Sequence, residues 1–221
     1  MFLATLSREY QRVLRNRSSI ANMLAFFALI VICYPLALGV EKELLVTLSP
    51  VALWVSALLS LLLNTHQLFE EDFENGIIDQ IIVGQGSLFW YVLAKAVCFW
   101  TLSGFILAIL GPLLGGMLYL PLSVAPVTIF VLAVGSFGAV MINVLAASLT
   151  IALRNNSILL SLIALPLFAP TLIFGAGAIS NAIEGISVSV PLTFLSALTL
   201  ISVAICPLGA AFILRLSRDL S

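Results

Sequence analysis

Long stretches without any charged residue restrict the fold of this chain more than any other feature. Five uncharged runs stand out, with 23 positions at 18–40, 26 at 44–69, 58 at 96–153, 29 at 155–183 and 30 at 185–214. A helix needs roughly 20 apolar residues to cross a hydrocarbon core of about 30 Å. Each run therefore accommodates one crossing, and the longest accommodates two. The sequence predicts six membrane spans.

The composition agrees with this interpretation. Only 9% of the 221 residues are charged and 62% are hydrophobic, whereas a soluble domain has about 25% charged residues. A segment surrounded by lipid must satisfy its backbone hydrogen bonds internally, which favours helices. We therefore expect an all-α polytopic membrane protein. The predicted spans lie near 20–39, 48–68, 92–117, 126–152, 157–179 and 193–214, with a turn at 119–126.

The basic residues predict the orientation, because lysine and arginine accumulate on the cytoplasmic side of a membrane protein. With the N-terminus inside, Lys42 alone falls outside. The cytoplasmic side then collects Arg8, Arg12, Arg15, Arg17, Lys95, Arg154, Arg215 and Arg218. An odd number of spans would move the last two arginines to the outer side. Both termini are therefore predicted to be cytoplasmic.

Residues 1–17 precede the first span and have the pattern of an amphipathic helix. Apolar residues recur at helical spacing, with charged residues between them. Such helices lie in the membrane interface and turn basic side chains toward anionic headgroups. We expect this role for Arg8, Arg12 and Arg15. A flexible basic leader is the alternative.

The hydrophilic segment 69–88, between the second and third spans, is strongly acidic. It contains five of the ten acidic residues of the chain, namely Glu70, Glu71, Asp72, Glu74 and Asp79. An acidic cytoplasmic segment gains nothing from an anionic inner leaflet. These charges therefore predict contact with a protein partner, and a solvated linker is the alternative.

Within this segment, Gly76 is placed to separate two short helices, because glycine adopts the left-handed conformation that a helix end requires. The residues after it predict a short amphipathic helix. Its apolar stripe would consist of Ile77, Ile78, Ile81 and Ile82, with Asp79 and Gln80 on the opposite side.

The sequence contains no motif for intrinsic catalysis. It has no GxxxxGK[ST] phosphate loop, no HExxH and no GxSxG, which are the signatures of nucleotide, zinc and nucleophilic chemistry. Cys33, Cys98 and Cys206 fall inside spans without CxxC spacing, so we interpret them as packing residues. We expect a non-catalytic protein that binds no metal or cofactor directly.

Polar groups within the spans are equally few. We expect no charged side chain in the span interiors, so a proton-driven carrier would lack the intramembrane relay that such carriers use. Asn143 is predicted to form an interhelical hydrogen bond rather than a substrate contact. His66, the sole histidine, has no nearby partner ligands and is assigned a polar role at the interface.

Three sequence segments together resemble a known family. They are YPLALG at 34–39 after the basic amphipathic helix, LFEEDFENGIIDQ at 68–80 after the second span, and LLSLIALPL at 159–167 in the fifth. Over its whole length the chain resembles the CcmB family, haem exporter protein B. Members are permease subunits of ABC-2-type exporters of cytochrome c maturation.

The resemblance implies a single transmembrane permease domain over 1–221 in the bacterial cell inner membrane. It implies that a CcmA-like ABC ATPase subunit carries the ATP and docks on the cytoplasmic coupling loop 69–88. The residues expected to contact it are Glu70, Glu71, Asp72, Glu74, Gly76, Ile77, Ile78, Asp79, Gln80 and Ile81.

The resemblance also implies further partners that handle haem for the complex. They are a CcmC-like membrane subunit, a small CcmD-like membrane subunit and a CcmE-like haem chaperone on the outer face. A second permease copy is compatible with ATPases that close as dimers, and no nucleic acid is expected. The family's role is ATP-driven release of the haem-loaded chaperone or export of haem itself; we favour release, because no span offers haem ligands.

Other functions stay open at this point. An ABC-2-type permease for another lipid, drug or ion would share the same architecture. A stand-alone secondary carrier and a structural membrane subunit without transport belong to other classes, and neither would bind an ATPase.

Overall fold

The structure is a computed structural model that describes residues 2–15, 17–39, 41–63, 65, 67–84, 86–152 and 157–219. Within these ranges the chain is helical, with short connections. The helices are α1 Phe2–Arg15, α2 Arg17–Leu38, α3 Lys42–Leu63, α4 Gln67–Glu74, α5 Ile77–Val83, α6 Leu88–Leu102, α7 Gly104–Gly115, α8 Ala125–Ala152, α9 Ser157–Ile183 and α10 Ser189–Asp219.

Six segments of the described chain are long and apolar enough to cross a membrane. They are Ser18–Leu38, Lys42–Glu74, Leu88–Leu118, Leu122–Ile151, Ala164–Ile183 and Ser189–Ser217. The predicted all-α fold with six spans and an amphipathic N-terminal helix is thereby confirmed.

Several helix bounds differ from the predicted spans, and two of these differences have the same reason. α3 begins at Lys42 rather than near 48, and α10 continues to Asp219 rather than ending near 214. Lys42 and Glu43 are exposed in the first turn of α3. A helix can thus extend beyond the apolar stretch that hydropathy detects, because the charged residues at its ends lie in water.

The third span is broken at Ser103, between α6 and α7, although the sequence predicted one continuous span. Ser103 has φ −121° and ψ −72°, and its hydroxyl donates to the carbonyl of Phe99. A Cβ on Gly104 would lie 2.7 Å from Cδ1 of Trp100. The indole of Trp100 donates to Oγ of Ser136 at 3.1 Å. The break between α6 and α7 therefore coincides with close packing against α8, and hydropathy does not predict it.

The predicted turn between the third and fourth spans is confirmed. Two 3-10 turns, Gly116–Leu118 and Leu122–Val124, bring the chain back, and Tyr119 between them adopts a left-handed φ of 58°. α8 then begins at Ala125, one residue before Pro126, where a proline suits the first turn of a helix.

α8 is the most deeply buried candidate span and packs against α7, α9 and α10, whereas the first span is the least buried. Polar side chains connect α8 to its neighbours. Asn143 donates from Nδ2 to the Leu61 carbonyl of α3 at 3.4 Å, which confirms the predicted interhelical hydrogen bond. Thr199 of α10 donates to the Val134 carbonyl of α8 at 3.1 Å.

Trp54 of α3 joins the same core through contacts with glycine. Its fully buried indole lies against Gly135 of α8 and Gly175 of α9. A Cβ would lie 2.2 Å from the indole at Gly135 and 2.3 Å at Gly175. The side chain fits there only because both helices have glycine at these positions. It therefore fixes the positions of α3, α8 and α9 relative to one another.

We predict that Gly175→Ala destabilises the protein by about 1–3 kcal/mol, the usual cost of forcing a methyl group into a packed core. Gly177→Ala is the matched control, because a Cβ there meets nothing within 4 Å. Thermal unfolding of the purified protein in detergent measures both. Equal stability of the two variants would contradict the assigned contact with Trp54.

Candidate functional site

The acidic segment after the second span folds into two short helices, α4 and α5. Gly76 separates them with φ 67° and ψ 17°. This is the left-handed conformation, which glycine adopts without a steric penalty. The predicted division at Gly76 and the predicted short helix after it are both confirmed.

The inner face of these helices packs on the rest of the protein. Phe69 and Asp72 of α4 are buried, three residues apart and thus on one helix face. On α5, Ile78 is buried, and Ile81 and Ile82 pack against the core. The predicted isoleucine stripe exists, but most of it stabilises the chain's own fold.

The outer face carries the remaining side chains. Glu74, Asp79 and Gln80 are exposed. Two apolar residues accompany them, Phe73 at 39% exposure and Val83 at 69%. Sequence reasoning missed both as contact residues, although Val83, an apolar side chain on the polar side of α5, was a signal that it could have used.

Asp72 forms the centre of a charge cluster, in which Glu9, Asp72 and Lys95 are buried and Arg8 and Arg12 are partly exposed. Its Oδ2 lies 2.6 Å from Nζ of Lys95, and the hydroxyl of Tyr91 donates to the same carboxylate. Lys95 is 2% exposed, and its Nζ also lies 3.8 Å from Oε2 of Glu9. The lysine charge is thus balanced by carboxylates from two other helices.

Lys95 also has contacts with uncharged groups. Its ammonium donates to the carbonyl of Leu68 and lies 5.2 Å from the ring centroid of Phe69 and 5.6 Å from that of Tyr91. Aromatic faces attract a cation, and more strongly where water is excluded. These contacts add to the ion pairs in compensating for the lost hydration of the ammonium group.

Two arginines of α1 extend the cluster. Nη1 of Arg12 lies 3.0 Å from Oδ1 of Asp72 and 3.7 Å from Oε2 of Glu9, and Arg12 also pairs with Glu71. Nη2 of Arg8 lies 2.9 Å from Glu9 and 3.4 Å from Asp72. Partial burial lowers the pKa of Arg8, but the bond to Glu9 and the charge of Asp72 outweigh it, so this pKa lies above its usual value.

These contacts correct the expectation that the arginines of α1 face lipid headgroups. Arg8 and Arg12 turn toward carboxylates of the same chain, which are fixed and nearby and therefore compete with mobile headgroups. The side chain of Arg15 lies outside the described residues. The acidic charges of α4 thus have an intramolecular explanation that sequence reasoning did not consider.

A second correction concerns the span interiors, which we expected to hold no charged side chain. Lys95 lies in α6, inside the third candidate span, and is buried. It is tolerated there because Asp72 and Glu9 neutralise it. The position of Lys95 in an otherwise uncharged stretch was a signal of such a site. The sequence did not show, however, which helices lie beside this lysine. His66 lies outside the described residues.

The cluster connects three helices that are distant in sequence. Glu9 comes from α1, Asp72 from α4 and Lys95 from α6. α1 lies along α6, because the Phe2 ring meets Trp90 edge-on at 6.0 Å and Tyr10 forms a hydrogen bond with Thr101. A displacement of α4 must therefore either move α1 and α6 with it or break buried ion pairs.

The structure thus divides the predicted docking residues into two groups. Asp72 and Ile78 lie inside, where a partner protein does not reach them. Glu71, Glu74, Asp79 and Gln80 are exposed, while Glu70, Gly76, Ile77 and Ile81 are partly exposed. Among the described residues, no group of three His, Cys, Asp or Glu side chains is arranged to hold a metal ion.

We predict that Lys95→Met destabilises the protein by about 3–5 kcal/mol, because it leaves buried carboxylates without their cation. Lys42→Met is the control, since Lys42 is exposed and surface substitutions change stability by about 0.5 kcal/mol or less. Adding Asp72→Asn to Lys95→Met is expected to recover part of the loss. Thermal unfolding in detergent measures all three, and a Lys95→Met variant as stable as the control would contradict the pairing.

Comparison with known proteins gives a full-length match. The family model described as CcmB protein matches residues 1–217. Heme exporter protein B of Pseudomonas aeruginosa is 37% identical over 217 residues, which cover 98% of this chain and 97% of the relative. The Paracoccus denitrificans protein of the same name is 36% identical, with 97% and 98% covered. That of Escherichia coli K12 is 33% identical, with 98% and 99% covered.

Proposed function

Because the chain belongs to the CcmB family, we propose that it is the transmembrane subunit of a haem-export ABC transporter and that a separate ATPase subunit drives it. The observation that carries this proposal is the two-sided construction of α4 and α5. Their outer face presents acidic and apolar side chains, and their inner face is joined to α1 and α6 by the charge cluster. The outer face binds the partner protein, and the charge cluster transmits the partner's movement to α1 and α6.

The ATPase contact is assigned to the exposed part of this region. Phe73 and Val83 are apolar anchors, and Glu74, Asp79 and Gln80 provide a polar rim. Apolar anchors surrounded by polar groups are the usual anatomy of a protein interface. The acidic rim favours a basic partner surface, and the buried Asp72 is left to its intramolecular role.

The proposed mechanism has two states. ATP closes the partner ATPase, which contacts α4 and α5 differently in its open and closed forms, and only such a difference can shift the conformation of the permease. The charge cluster passes the displacement of α4 to α1 and α6. Helices that shift as packed units are a known means of carrying such a change across a membrane subunit.

Haem itself is assigned to the partners in this proposal. Histidine is a common axial ligand of haem iron, and the single histidine of the sequence is His66. We therefore assign haem handling to a CcmC-like subunit with its small CcmD-like neighbour, and haem acceptance to a CcmE-like chaperone. ATP hydrolysis then drives release of the loaded chaperone, and a second permease copy is compatible with a dimeric ATPase.

We predict that reversing two exposed charges, Glu74→Lys with Asp79→Lys, lowers co-purification of the ATPase about tenfold or more, because like charges at an interface cost more than 1.4 kcal/mol. Covalent haem attachment to c-type cytochromes should fall in parallel. The matched control is Glu41→Lys with Glu43→Lys, which reverses two exposed charges at the opposite end of α3.

Three results would count against the proposal. A wild-type chain that co-purifies with no ATPase would favour a stand-alone carrier or a structural subunit. Retention of the ATPase by the Glu74 and Asp79 variant at wild-type yield would remove the docking assignment. An ATPase complex whose deletion leaves cytochrome c maturation intact would favour export of another lipid, drug or ion.

The orientation follows from the positions of the basic residues, and we propose that both termini and α4–α5 face the cytoplasm of a bacterial inner membrane. In a chain without its three native cysteines, a membrane-impermeant maleimide added outside should label Ser187→Cys and leave Asn75→Cys unlabelled. Both positions are exposed and lie in connections at opposite ends of the bundle. The reverse pattern would overturn the docking assignment together with the topology.

A further inference from the structure

Asn143 of α8 is a buried polar residue whose hydrogen bonds are incomplete. Its side chain is fully buried, and Oδ1 has no hydrogen-bond partner among the described residues. Nδ2 donates to the Leu61 carbonyl at 3.4 Å, which is longer than the usual range of about 2.7–3.2 Å. Most buried polar atoms have a partner, because an unpaired one destabilises the fold. Asn143 therefore contributes less to the stability of this conformation than its position allows.

The carbonyl that Asn143 contacts lies in the last turn of α3. In a continuing helix the Leu61 carbonyl would accept the backbone N–H of Thr65. That N–H donates instead to the Leu62 carbonyl at 3.1 Å, and the Thr65 hydroxyl donates to the Leu61 carbonyl at 2.7 Å. The end of α3 is thus held by two side chains, one from the connection to α4 and one from α8.

The connection between α3 and α4 separates two parts of the structure that have different roles in the proposed mechanism. α3 is fixed to α8 and α9 through Trp54, whereas α4 is joined to α1 and α6 by the charge cluster. Asn143 therefore contacts the chain where a fixed helix is followed by the helix that an ATPase would move.

A movement of α4 can be transmitted in two directions. One leads through the charge cluster to α1 and α6. The other leads back along the chain, because α3 ends at Leu63 and α4 begins at Gln67. The bond from Asn143 opposes the second direction, since it attaches the last turn of α3 to the most deeply buried candidate span.

We propose that Asn143 is a positioning residue for the ATP-driven movement, which holds the end of α3 against α8 while α4 turns, so that the displacement passes to α1 and α6. This role rests on the proposed function, because it requires an ATPase that moves α4. As α4 turns, the long bond to Leu61 shortens and the unpaired Oδ1 accepts a donor from the connection. Asn143 thus forms its strongest contacts in the displaced state, and only such a difference between states shifts a conformational equilibrium.

The variant Asn143→Leu tests this role in the complex purified with its ATPase and haem-handling subunits. Leucine has the same branched skeleton of heavy atoms as asparagine. The change removes the unpaired Oδ1 and leaves the Leu61 carbonyl its bond from Thr65. We therefore expect thermal unfolding at or above the wild-type temperature, because no buried group loses its last partner.

The functional measurement is covalent haem attachment to c-type cytochromes for each ATP hydrolysed. We expect this ratio to fall about tenfold in Asn143→Leu, the factor that corresponds to losing one membrane hydrogen bond of about 1.4 kcal/mol. The ATPase should co-purify at the wild-type yield and hydrolyse ATP at the wild-type rate, because the fully buried Asn143 does not reach the docking face. A purely structural role would not lower the ratio in a complex of wild-type stability.

Thr199→Val is the matched control, because it also removes an interhelical hydrogen bond to α8. The Thr199 hydroxyl donates from α10 to the Val134 carbonyl at 3.1 Å, so this variant should keep the wild-type ratio. Asn143→Ser is a second variant that adds no volume to the core. Its hydroxyl bonds within its own helix, as those of Ser56 and Ser60 do, and it should show the same loss as Asn143→Leu.

The contact with Leu61 is tested by Thr65→Val, alone and together with Asn143→Leu. Each single variant leaves the Leu61 carbonyl one side-chain donor, whereas the double variant leaves none. The double variant should therefore unfold at a lower temperature than the sum of the two single effects gives, since groups that share a partner are not additive. Additive effects would contradict the shared acceptor.

Several outcomes would overturn the proposal. A wild-type ratio in both Asn143 variants would show that α4 transmits its movement without this residue. An equal loss in Thr199→Val would show a general effect of packing around α8, and a loss that only follows the amount of folded complex would show a structural role. A wild-type chain that co-purifies with no ATPase is a separate result, because it removes the proposed function before any variant is compared.

Discussion

The neutralisation of Lys95 is the interaction on which the cytoplasmic end of this structure depends. An ammonium group buried within a membrane segment costs several kcal/mol unless carboxylates surround it. Asp72 and Glu9 supply those carboxylates from helices that lie 23 and 86 positions away in the chain. The lysine therefore fixes where α1 and α4 must lie. Of the five acidic residues in the segment 69–88, Asp72 is thus used within the fold itself.

This constraint explains why α4 has two different faces. Phe69 and Asp72 share the inner face through their three-residue spacing, Phe73 lies at the exposed edge of that face, four residues after Phe69, and Glu74 lies on the outer side. The inner carboxylate stabilises the fold, while the outer groups are available to another protein. A charge reversal therefore has different effects at neighbouring positions of this segment. A change at Asp72 disturbs folding, whereas a change at Glu74 tests docking of the partner.

The sequence predicted the features that depend on local composition. Uncharged runs gave the six spans, and Gly76 gave the division between α4 and α5, because lipid thickness and glycine's conformational freedom act on each segment by itself. The partners of Lys95 and the break at Ser103 depend on which helices become neighbours. Neither span lengths nor helical periodicity determine that choice, so both escaped prediction. The same reason explains why Asp72 was assigned to a partner rather than to Lys95.

The two kinds of packing in this protein suit different mechanical roles. Around α8, the contacts of Trp54 with Gly135 and Gly175 leave no space for a sliding movement, since a single added methyl group would overlap the indole. At the other site, α1, α4 and α6 are held by ion pairs, whose geometry tolerates small shifts better than close-packed rings do. α6 is also separated from α7 by the break at Ser103. In the proposed mechanism, a displacement of α4 is therefore carried first by α6 and α1, and the break at Ser103 allows α6 to shift without α7. The glycine-packed core around α8 then serves as the fixed body against which they move.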